Sequence, residues 1–175
     1  TGEPNGGHNN FAGGGVYKST NAGSNWQKVG LENTVAVGRI LVSPVNPLKV
    51  YVAAVGSYFG PNPERGVYRS DNGGATWSRV LYVSDPCGAI DIIMDPINPN
   101  NMMAAMWQRT RYPNGGQLYG RESGIHKTTD GGLTWTWQPT APDTTKYDVF
   151  FIDENIGRSI GFKGCFLYNT EAADK

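Results

Sequence analysis

The sequence predicts an all-β fold in which short antiparallel strands repeat along the chain. The prediction rests on composition and periodicity: 24 Gly and 11 Pro among 175 residues, 9 Tyr and 5 Trp, and a segment that recurs at spacings of 51 and 58 residues. Gly and Pro mark frequent turns, and aromatic residues favour strands. Zero net charge and abundant aromatic residues argue against a disordered chain.

One segment occurs three times. It reads GVYKSTNAGSNW at 15–26, GVYRSDNGGATW at 66–77 and GIHKTTDGGLTW at 124–135. A second segment repeats with nearly the same period, since ILVSPVNP at 40–47 matches IIMDPINP at 92–99 with an offset of 52 residues. A further copy of this second segment, without the prolines, begins near residue 150. Two motifs in phase at one period indicate a repeated structural unit.

Each period is expected to form four short strands. The first is apolar, at about 38–42 and 90–94, and a continuous apolar run is typical of a strand buried on both faces. The Pro-x-Asn-Pro segment then forces a turn, because proline cannot donate to a strand ladder. The second strand lies at 50–55 and 102–107, the third is Gly-Val-Tyr-Arg-Ser, and the fourth follows at 78–82. Four antiparallel strands per roughly 40 to 50 residues are typical of a β-propeller blade.

The segment between the third and fourth strands resembles the Asp-box, or BNR, motif Ser/Thr-x-Asp-x-Gly-x-Thr-Trp of sialidases, sortilin-type receptors and xyloglucan-cleaving endoglucanases. Its copies at 19–26, 70–77 and 128–135 place the motif on Ser19, Asn21, Gly23 and Trp26, on Ser70, Asn72, Gly74 and Trp77, and on Thr128, Asp130, Gly132 and Trp135. The Asp or Asn caps the turn, Gly allows a positive φ, and Trp packs on the hairpin. The resemblance implies that the boxes stabilise the fold and lie away from any active site. Asn21 and Asn72 carry no charge, so metal binding by the boxes is not expected.

A longer stretch is similar to sortilin-like, BNR-repeat proteins of the bacterial secreted type. It runs from Asp-Pro-x-Asn-Pro at 95–99 through Ala-Ala-Met-Trp-x-Arg at 104–109 to the box at 128–135. The resemblance implies a secreted, periplasmic or cell-surface protein. Members of this family include peptide-binding receptors, assembly factors, cell-surface proteins and glycoside hydrolases.

The whole chain, 1–175, is therefore expected to be a β-propeller fragment of about three four-stranded blades plus part of a fourth, with Asp-box hairpins. The degenerate fourth copy occupies 148–175. A closed propeller needs at least four blades, and a blade buries its faces only against its neighbours. We therefore expect further propeller blades or another subunit as partners.

Candidate binding residues fall on the long loops at the end of the blades away from the boxes. Loops that a rigid scaffold holds in place are where binding residues concentrate. Aromatic rings with guanidinium groups suit sugar stacking, carboxylate capture or a peptide partner. The candidates are Tyr58, Arg65, Trp107, Arg109, Arg111, Tyr112 and Arg121. The alternative is that these side chains pack the loops against one another.

Candidate catalytic residues are few. A glycosidase needs two carboxyl groups about 5 to 9.5 Å apart, one of them with a raised pKa. Asp91, within an apolar strand, and Asp95, at a strand end, are weak candidates. A channel-lining carboxylate and a turn cap are the alternatives for these two residues. His8 and His126 are isolated in the sequence, so neither a metal site nor a cofactor is expected.

Composition narrows the class of function. Zero net charge gives no electrostatic reason to expect nucleic acid as a partner, and no apolar run approaches the about 20 residues of a transmembrane segment. Cys87 and Cys165 could pair or could be two buried thiols. The leading hypothesis is an extracytoplasmic binding module with a protein or carbohydrate ligand. The alternative is a fragment of a glycoside hydrolase of the Asp-box propeller type, which an acidic pair facing an open cleft would favour.

Overall fold

Four antiparallel sheets and one separate two-stranded ribbon occur in the described part of the chain. The computed structural model describes Gly2, Pro4 and residues 11–117 and 120–139, together with the backbone of Lys146–Phe151, Ile156–Gly161 and Gly164–Asn169. Within these residues the only helical element is a short 3-10 turn at Glu32–Thr34. None of their helical segments is long and apolar enough to cross a membrane. The predicted all-β class is confirmed.

The strands follow the predicted repeat. The first sheet contains β1 (Tyr17–Lys18) and β2 (Gln27–Lys28), and the second contains β3 (Val37–Val42), β4 (Val50–Ala54), β5 (Gly66–Ser70) and β6 (Ser78–Leu81). The third sheet begins with β7 (Cys87–Met94) and β8 (Met102–Gln108); a ribbon of β9 (Thr110–Tyr112) and β10 (Gly115–Gln117) follows, and β11 (Gly124–Thr128) and β12 (Thr136–Gln138) complete the sheet. The fourth sheet contains β13 (Lys146–Phe151), β14 (Ile156–Gly161) and β15 (Gly164–Asn169), within the copy predicted at 148–175 and just before it. Antiparallel four-stranded sheets are thus confirmed, and the number of blades stays a prediction.

Strand β8 shows how the third sheet is buried on both faces. Its even-numbered apolar residues form one core cluster with Tyr51 and Val67 of the second sheet. Met103 and Ala105 belong to a separate cluster with Ile125 on the opposite face. This alternation follows from the two-residue period of a strand. The core therefore lies between successive sheets.

Strand β3 departs from the prediction that the first strand of each unit is buried on both faces. Strand β7 is largely buried, but Ile40 and Val42 of β3 are exposed, Val42 by 54%. The corresponding face of β7 packs on the second sheet, whereas β3 lies beside the first sheet, which has two strands among the described residues. An apolar cavity of about 350 Å³ between Val16 and Val42 marks this place. Ile40 and Val42 are exposed because the two-stranded first sheet is too narrow to cover them, since a sheet buries its face only against the adjoining sheet.

A bulge at the same position in β3 and β7 brings the two strands into close contact. Register shifts leave Gly38 and Ile90 as the extra residues of these strands. A Cβ on Gly38 would lie 1.9 Å from the carbonyl oxygen of Ile90, so a larger residue does not fit there. Arg39 and Asp91 directly follow the two bulged residues and form an ion pair between the second and third sheets.

Each box turn satisfies its own backbone groups. The hydroxyl at the first position accepts a bond from the N–H four residues later: Ser19 from Gly23 at 2.8 Å, Ser70 from Gly74 at 2.8 Å and Thr128 from Gly132 at 3.0 Å. The side-chain oxygen at the third position also accepts from the N–H four residues later, at 2.9 Å for Asn21 and Asn72 and 3.0 Å for Asp130. Bonds from the Thr134 hydroxyl and backbone hold the pKa of Asp130 well below its ordinary value. These bonds are those of a capped turn, with Asn and Asp serving alike.

The box turns also connect adjacent sheets. The carbonyl oxygen of Gly73 accepts a bond from Lys18 of the first sheet at 3.2 Å. The carbonyl oxygen of Gly131, at the same box position, accepts one from Arg69 of the second sheet at 3.1 Å. Lys18 and Arg69 are themselves 51 residues apart in the repeat. The repeat therefore encodes a contact between sheets as well as a turn.

The three box tryptophans share a place in the turn but not their surroundings. Trp77 donates from Nε1 to the carbonyl oxygen of Val29 in the neighbouring sheet at 2.6 Å. Trp135 packs against the core between the second and third sheets. Trp26 is 64% exposed, because no sheet precedes the first one within the described residues. A tryptophan at this position is half-buried where a preceding sheet is described and exposed where none is.

Candidate functional site

The connections opposite the box turns meet at one end of the sheets, which we call the loop face. It consists of residues 31–36, 55–65, 82–86, 109–117 and 120–123. Backbone bonds join these connections, since Asn62 donates to the carbonyl of Asp85 at 3.1 Å and Arg111 donates to that of Tyr58 at 2.7 Å. Phe59 and Arg111 also form a parallel β-bridge. Loops that satisfy each other's backbone groups form a fixed surface.

Arg65 lies at the centre of the loop face and is fully buried. Its Nη1 donates to the carbonyl oxygens of Pro86 and, at 2.7 Å, Arg109. Its Nη2 donates to those of Ser57 at 2.6 Å and Gly60 at 3.3 Å. These acceptors come from three separate segments, so one side chain ties the loop after β4 to the third sheet. Burial lowers the pKa of Arg65 from its ordinary value, yet a guanidinium stays protonated in proteins.

Beside Arg65, two aromatic rings and two guanidinium groups form a cluster, in which Tyr58 and Trp107 lie edge to face with ring centres 6.4 Å apart. The guanidinium carbon of Arg109 lies 4.5 Å from the ring centre of Trp107 and 4.6 Å from that of Tyr58. The guanidinium carbon of Arg111 lies 5.5 Å from the Tyr58 ring centre on the outer side. Tyr58 also donates from its hydroxyl to the carbonyl of Pro4. Desolvated cation–π contacts are worth about 2 kcal/mol each, so the two contacts of the buried Arg109 stabilise this cluster and the loops that carry it.

Aromatic and charged side chains cover the outer surface of the loop face. Phe59 is 66% exposed and Tyr112 is 54% exposed. Arg121 is exposed, and Arg111, which contacts the Tyr58 ring, is half-buried. The accessible surface therefore combines two aromatic rings with two guanidinium groups.

The structure brings the predicted binding residues together but buries most of them. The buried members are Tyr58, Arg65, Trp107 and Arg109, and the accessible members are Arg111, Tyr112 and Arg121. The buried set holds the loops together, as the packing alternative describes. That any of the seven contacts a ligand stays a prediction. Phe59 is absent from the predicted set, because in an irregular loop no periodicity indicates which of two adjacent rings faces the solvent.

The two candidate catalytic carboxylates are buried and engaged. Asp91 pairs with Arg39 and accepts a bond from the N–H of Ile92 at 2.9 Å. Asp95 accepts a bond from the N–H of Ile97 at 2.8 Å, which is the turn cap considered from the sequence. A general acid must reach the bond that it protonates. Both carboxylates are buried, and their catalytic role stays a prediction.

The remaining reactive groups of the described chain serve packing. Cys87 is a buried free thiol that donates to the carbonyl of Glu122 at 3.3 Å, and burial raises its pKa to about 12. The side chain of Cys165 and all of His8 lie outside the described residues. Burial lowers the pKa of His126 to about 4, so this imidazole is neutral at pH 7. No group of three potential ligands that could hold a metal occurs in the part of the chain that the structure describes.

Two kinds of protein are similar to the chain in sequence. The photosystem II assembly lipoprotein Ycf48 of Nostoc sp. (strain PCC 7120) is 29% identical over 184 residues, which cover 91% of this chain and 53% of the relative. A xyloglucanase of Paenibacillus sp. is 31% identical over 146 residues, which cover 74% of this chain and 14% of the relative. The chain thus spans about half the length of the Ycf48 relative and a small part of the xyloglucanase. No protein-family profile matches the chain.

A similar fold occurs in an ancestral GH74 enzyme. Its crystal structure superimposes with a TM-score of 0.67 at 24% identity, over 89% of this chain and 20% of the enzyme. At this identity the likeness shows the fold alone. Asp-box and sortilin-like membership stay predictions. Sequence and fold together relate the chain to β-propeller proteins, with the Ycf48 lipoprotein and a xyloglucanase as relatives in sequence.

Proposed function

We propose that the chain is an extracytoplasmic binding module of a larger β-propeller protein, and that its loop face takes a protein or carbohydrate ligand. One observation carries the proposal: accessible rings and guanidiniums lie on loops that the buried Arg65 and Arg109 hold in place. A site whose groups are already ordered loses less entropy when it binds. The box turns bond many of their own polar groups, which leaves fewer donors and acceptors for a ligand there.

The chemistry of the accessible surface fits both ligand classes. Phe59 and Tyr112 present ring faces on which a sugar or an apolar peptide side chain can stack. Arg111 and Arg121 present donors for carboxylates or for peptide carbonyls. These accessible groups are supported on their buried side by Tyr58, Arg65, Trp107 and Arg109. The module would act with further propeller blades or another subunit, which cover the faces of its end sheets.

The relatives favour a protein ligand. The Ycf48 relative is named as an assembly lipoprotein, and the similarity to it extends over 91% of this chain. An assembly role requires protein contacts, and a lipoprotein name favours a location outside the cytoplasm for this chain as well. A carbohydrate ligand is the alternative that the xyloglucanase relative supports.

A fragment of a glycoside hydrolase is the second candidate function. The similarity to a xyloglucanase and the fold shared with a GH74 enzyme favour it. The pairing of Asp91 with Arg39 and the capping bond of Asp95 speak against a free acid pair within the described residues. Catalysis would then require carboxylates supplied by chain beyond these residues.

Binding assays with defined probes test the proposal. Purified chain is applied to an array of synthetic peptides and to immobilised xyloglucan oligosaccharides. We expect Tyr112→Ala/Arg121→Ala to lose at least about tenfold in affinity for the probes that bind, since each side chain supplies about 1 kcal/mol or more of contact. Leu133→Ala is the matched control, because Leu133 is exposed on a box turn at the opposite end. Unchanged affinity in the double variant would contradict the loop-face proposal.

The same samples separate binding from hydrolysis. Release of reducing ends from xyloglucan is measured for the wild type and for Asp91→Asn. Hydrolysis by the wild type would favour the hydrolase and contradict a purely binding role, and its loss in the variant would assign it to Asp91. Binding without any release of reducing ends would support the module.

A further inference from the structure

The dipeptide Asn-Gly occurs three times in the sequence, and two copies lie in unlike surroundings. One is Asn72–Gly73 in the second box turn, and the other is Asn114–Gly115 at the tip of the β9–β10 ribbon. Glycine after asparagine has no Cβ, so its backbone nitrogen can approach the asparagine side chain. The third copy, Asn5–Gly6, lies outside the described residues. The two described copies can be compared as an internal pair.

Asn72–Gly73 is held by its turn. Asn72 Oδ1 accepts bonds from the Ser70 hydroxyl and the Thr76 N–H, both at 2.9 Å, and Nδ2 donates to the Thr76 hydroxyl at 2.8 Å. The backbone N–H of Gly73 donates to the carbonyl of Leu48 at 2.7 Å. Any reaction between the Gly73 nitrogen and the Asn72 carboxamide must break these bonds together. The fold therefore protects this copy.

Asn114–Gly115 has none of this protection. Asn114 is exposed, and within the described residues its carboxamide makes no hydrogen bond. A Cβ on Gly115 would meet nothing within 4 Å, so there is room for a ring and for water at this position. Gly115 pairs with Tyr112 at the end of a ladder of three residue pairs. A two-stranded ribbon this short is marginally stable and opens locally, which frees the Gly115 nitrogen without disturbing the core.

We propose that Asn114–Gly115 is a site of spontaneous deamidation on the loop face, and that Asn72–Gly73 is not. The Gly115 nitrogen gives its proton to hydroxide and bonds to Asn114 Cγ. The bond between Cγ and Nδ2 then breaks as Nδ2 takes a proton from water and leaves as ammonia, which completes a succinimide ring. Water then opens the ring. Breaking the bond between Cγ and nitrogen gives aspartate, and breaking the bond between the main-chain carbonyl carbon and nitrogen gives isoaspartate. Either product adds one negative charge next to Tyr112, whatever ligand the loop face binds.

Peptide mapping of the folded chain tests the proposal. The purified protein is kept at mildly alkaline pH and 37 °C, and samples taken over days are digested with trypsin. The two copies fall in separate tryptic peptides, Ser70–Arg79 and Tyr112–Arg121. Mass spectrometry measures the change from amide to acid, and enzymatic methylation detects isoaspartate. We expect the Tyr112–Arg121 peptide to convert at least about tenfold faster, because conversion at Asn72 must break several hydrogen bonds.

Two controls separate the fold from the local sequence. Asn114→Gln should abolish conversion in the Tyr112–Arg121 peptide, since a glutamine must close a larger ring, and should leave Ser70–Arg79 unchanged. In concentrated urea the two peptides should convert at similar rates, because the turn that protects Asn72 is unfolded. Equal rates in the folded protein, or a slow Ser70–Arg79 peptide in urea as well, would overturn the proposal.

Discussion

Replacing Trp77 with alanine measures how strongly a box turn holds two sheets together. The half-buried ring packs against a cluster that includes Val16 and Val29, and Nε1 donates to the Val29 carbonyl at 2.6 Å. Half of the apolar surface that such a ring can bury is about 100 Å², which corresponds to about 2 kcal/mol. The hydrogen bond adds about 1 kcal/mol. We therefore expect Trp77→Ala to lower the free energy of unfolding by about 3 kcal/mol.

Urea unfolding followed by far-ultraviolet circular dichroism measures this loss without relying on tryptophan fluorescence. Trp26→Ala is the matched control, since Trp26 has the same place in its box but is largely exposed. It should change the free energy of unfolding by no more than about 0.5 kcal/mol. Trp77→Phe should cost about 1 kcal/mol, because it keeps much of the ring but cannot donate. Equal losses for Trp26→Ala and Trp77→Ala would refute the argument that burial against the neighbouring sheet sets the cost.

Three further predictions concern charge. The turn bonds hold the pKa of Asp130 below its ordinary value, so the carboxylate is protonated first in the unfolded chain as the pH falls. Acidification below about pH 4 should therefore destabilise the wild type more than Asp130→Asn, and urea midpoints measure the difference. Burial lowers the pKa of His126 from 6.5 to about 4, so the unfolded chain binds the imidazole proton first as the pH falls. The urea midpoint of unfolding should therefore decrease as the pH is lowered from 6.5 to about 4, and it should decrease less in His126→Phe. Parallel profiles would contradict this. Arg39→Met should lower the free energy of unfolding by about 2 kcal/mol, because the buried carboxylate of Asp91 loses that guanidinium. Adding Asp91→Asn should recover part of the loss, and simple additivity in thermal or urea unfolding would show that the two residues are not coupled.

The repeated part of the fold could be predicted from the sequence because its determinants are local. The box turns close through bonds between residues four apart, such as Ser70 to Gly74, so the motif contains the partners that close its turn. The residue directly after the second repeated segment contacts the box turn. Gly73 donates to the carbonyl of Leu48, and Gly131 donates to that of Asn100. That contact explains why the two motifs stay in phase: each needs the other at a fixed distance along the chain.

The loop face could not be predicted to the same extent, because its contacts join distant segments. Arg65 bonds to carbonyls 21 and 44 residues away, and nothing near it in sequence indicates that it is buried. Composition suggested a binding surface on these loops, which stays a prediction. It could not separate the guanidiniums that hold the loops from those that face the solvent, nor Tyr58 from Phe59. The ion pair of Arg39 with Asp91 was missed for the same reason, although their offset of 52 residues in the repeat could have indicated it.

The third repeat is longer than the second at the place where the loop face carries its accessible charge. The second strands begin 52 residues apart, at Val50 and Met102, but the third strands begin 58 residues apart, at Gly66 and Gly124. The additional residues therefore lie between β8 and β11, in the connection that forms the β9–β10 ribbon. The sheet does not need them, because β8 pairs with β11 in the same antiparallel way as β4 pairs with β5. A ribbon that the sheet does not require, and that presents Tyr112 to the solvent, supports the proposal that the loop face binds a ligand. Binding should therefore be sought first on this ribbon, where a change of charge at Asn114 would also act.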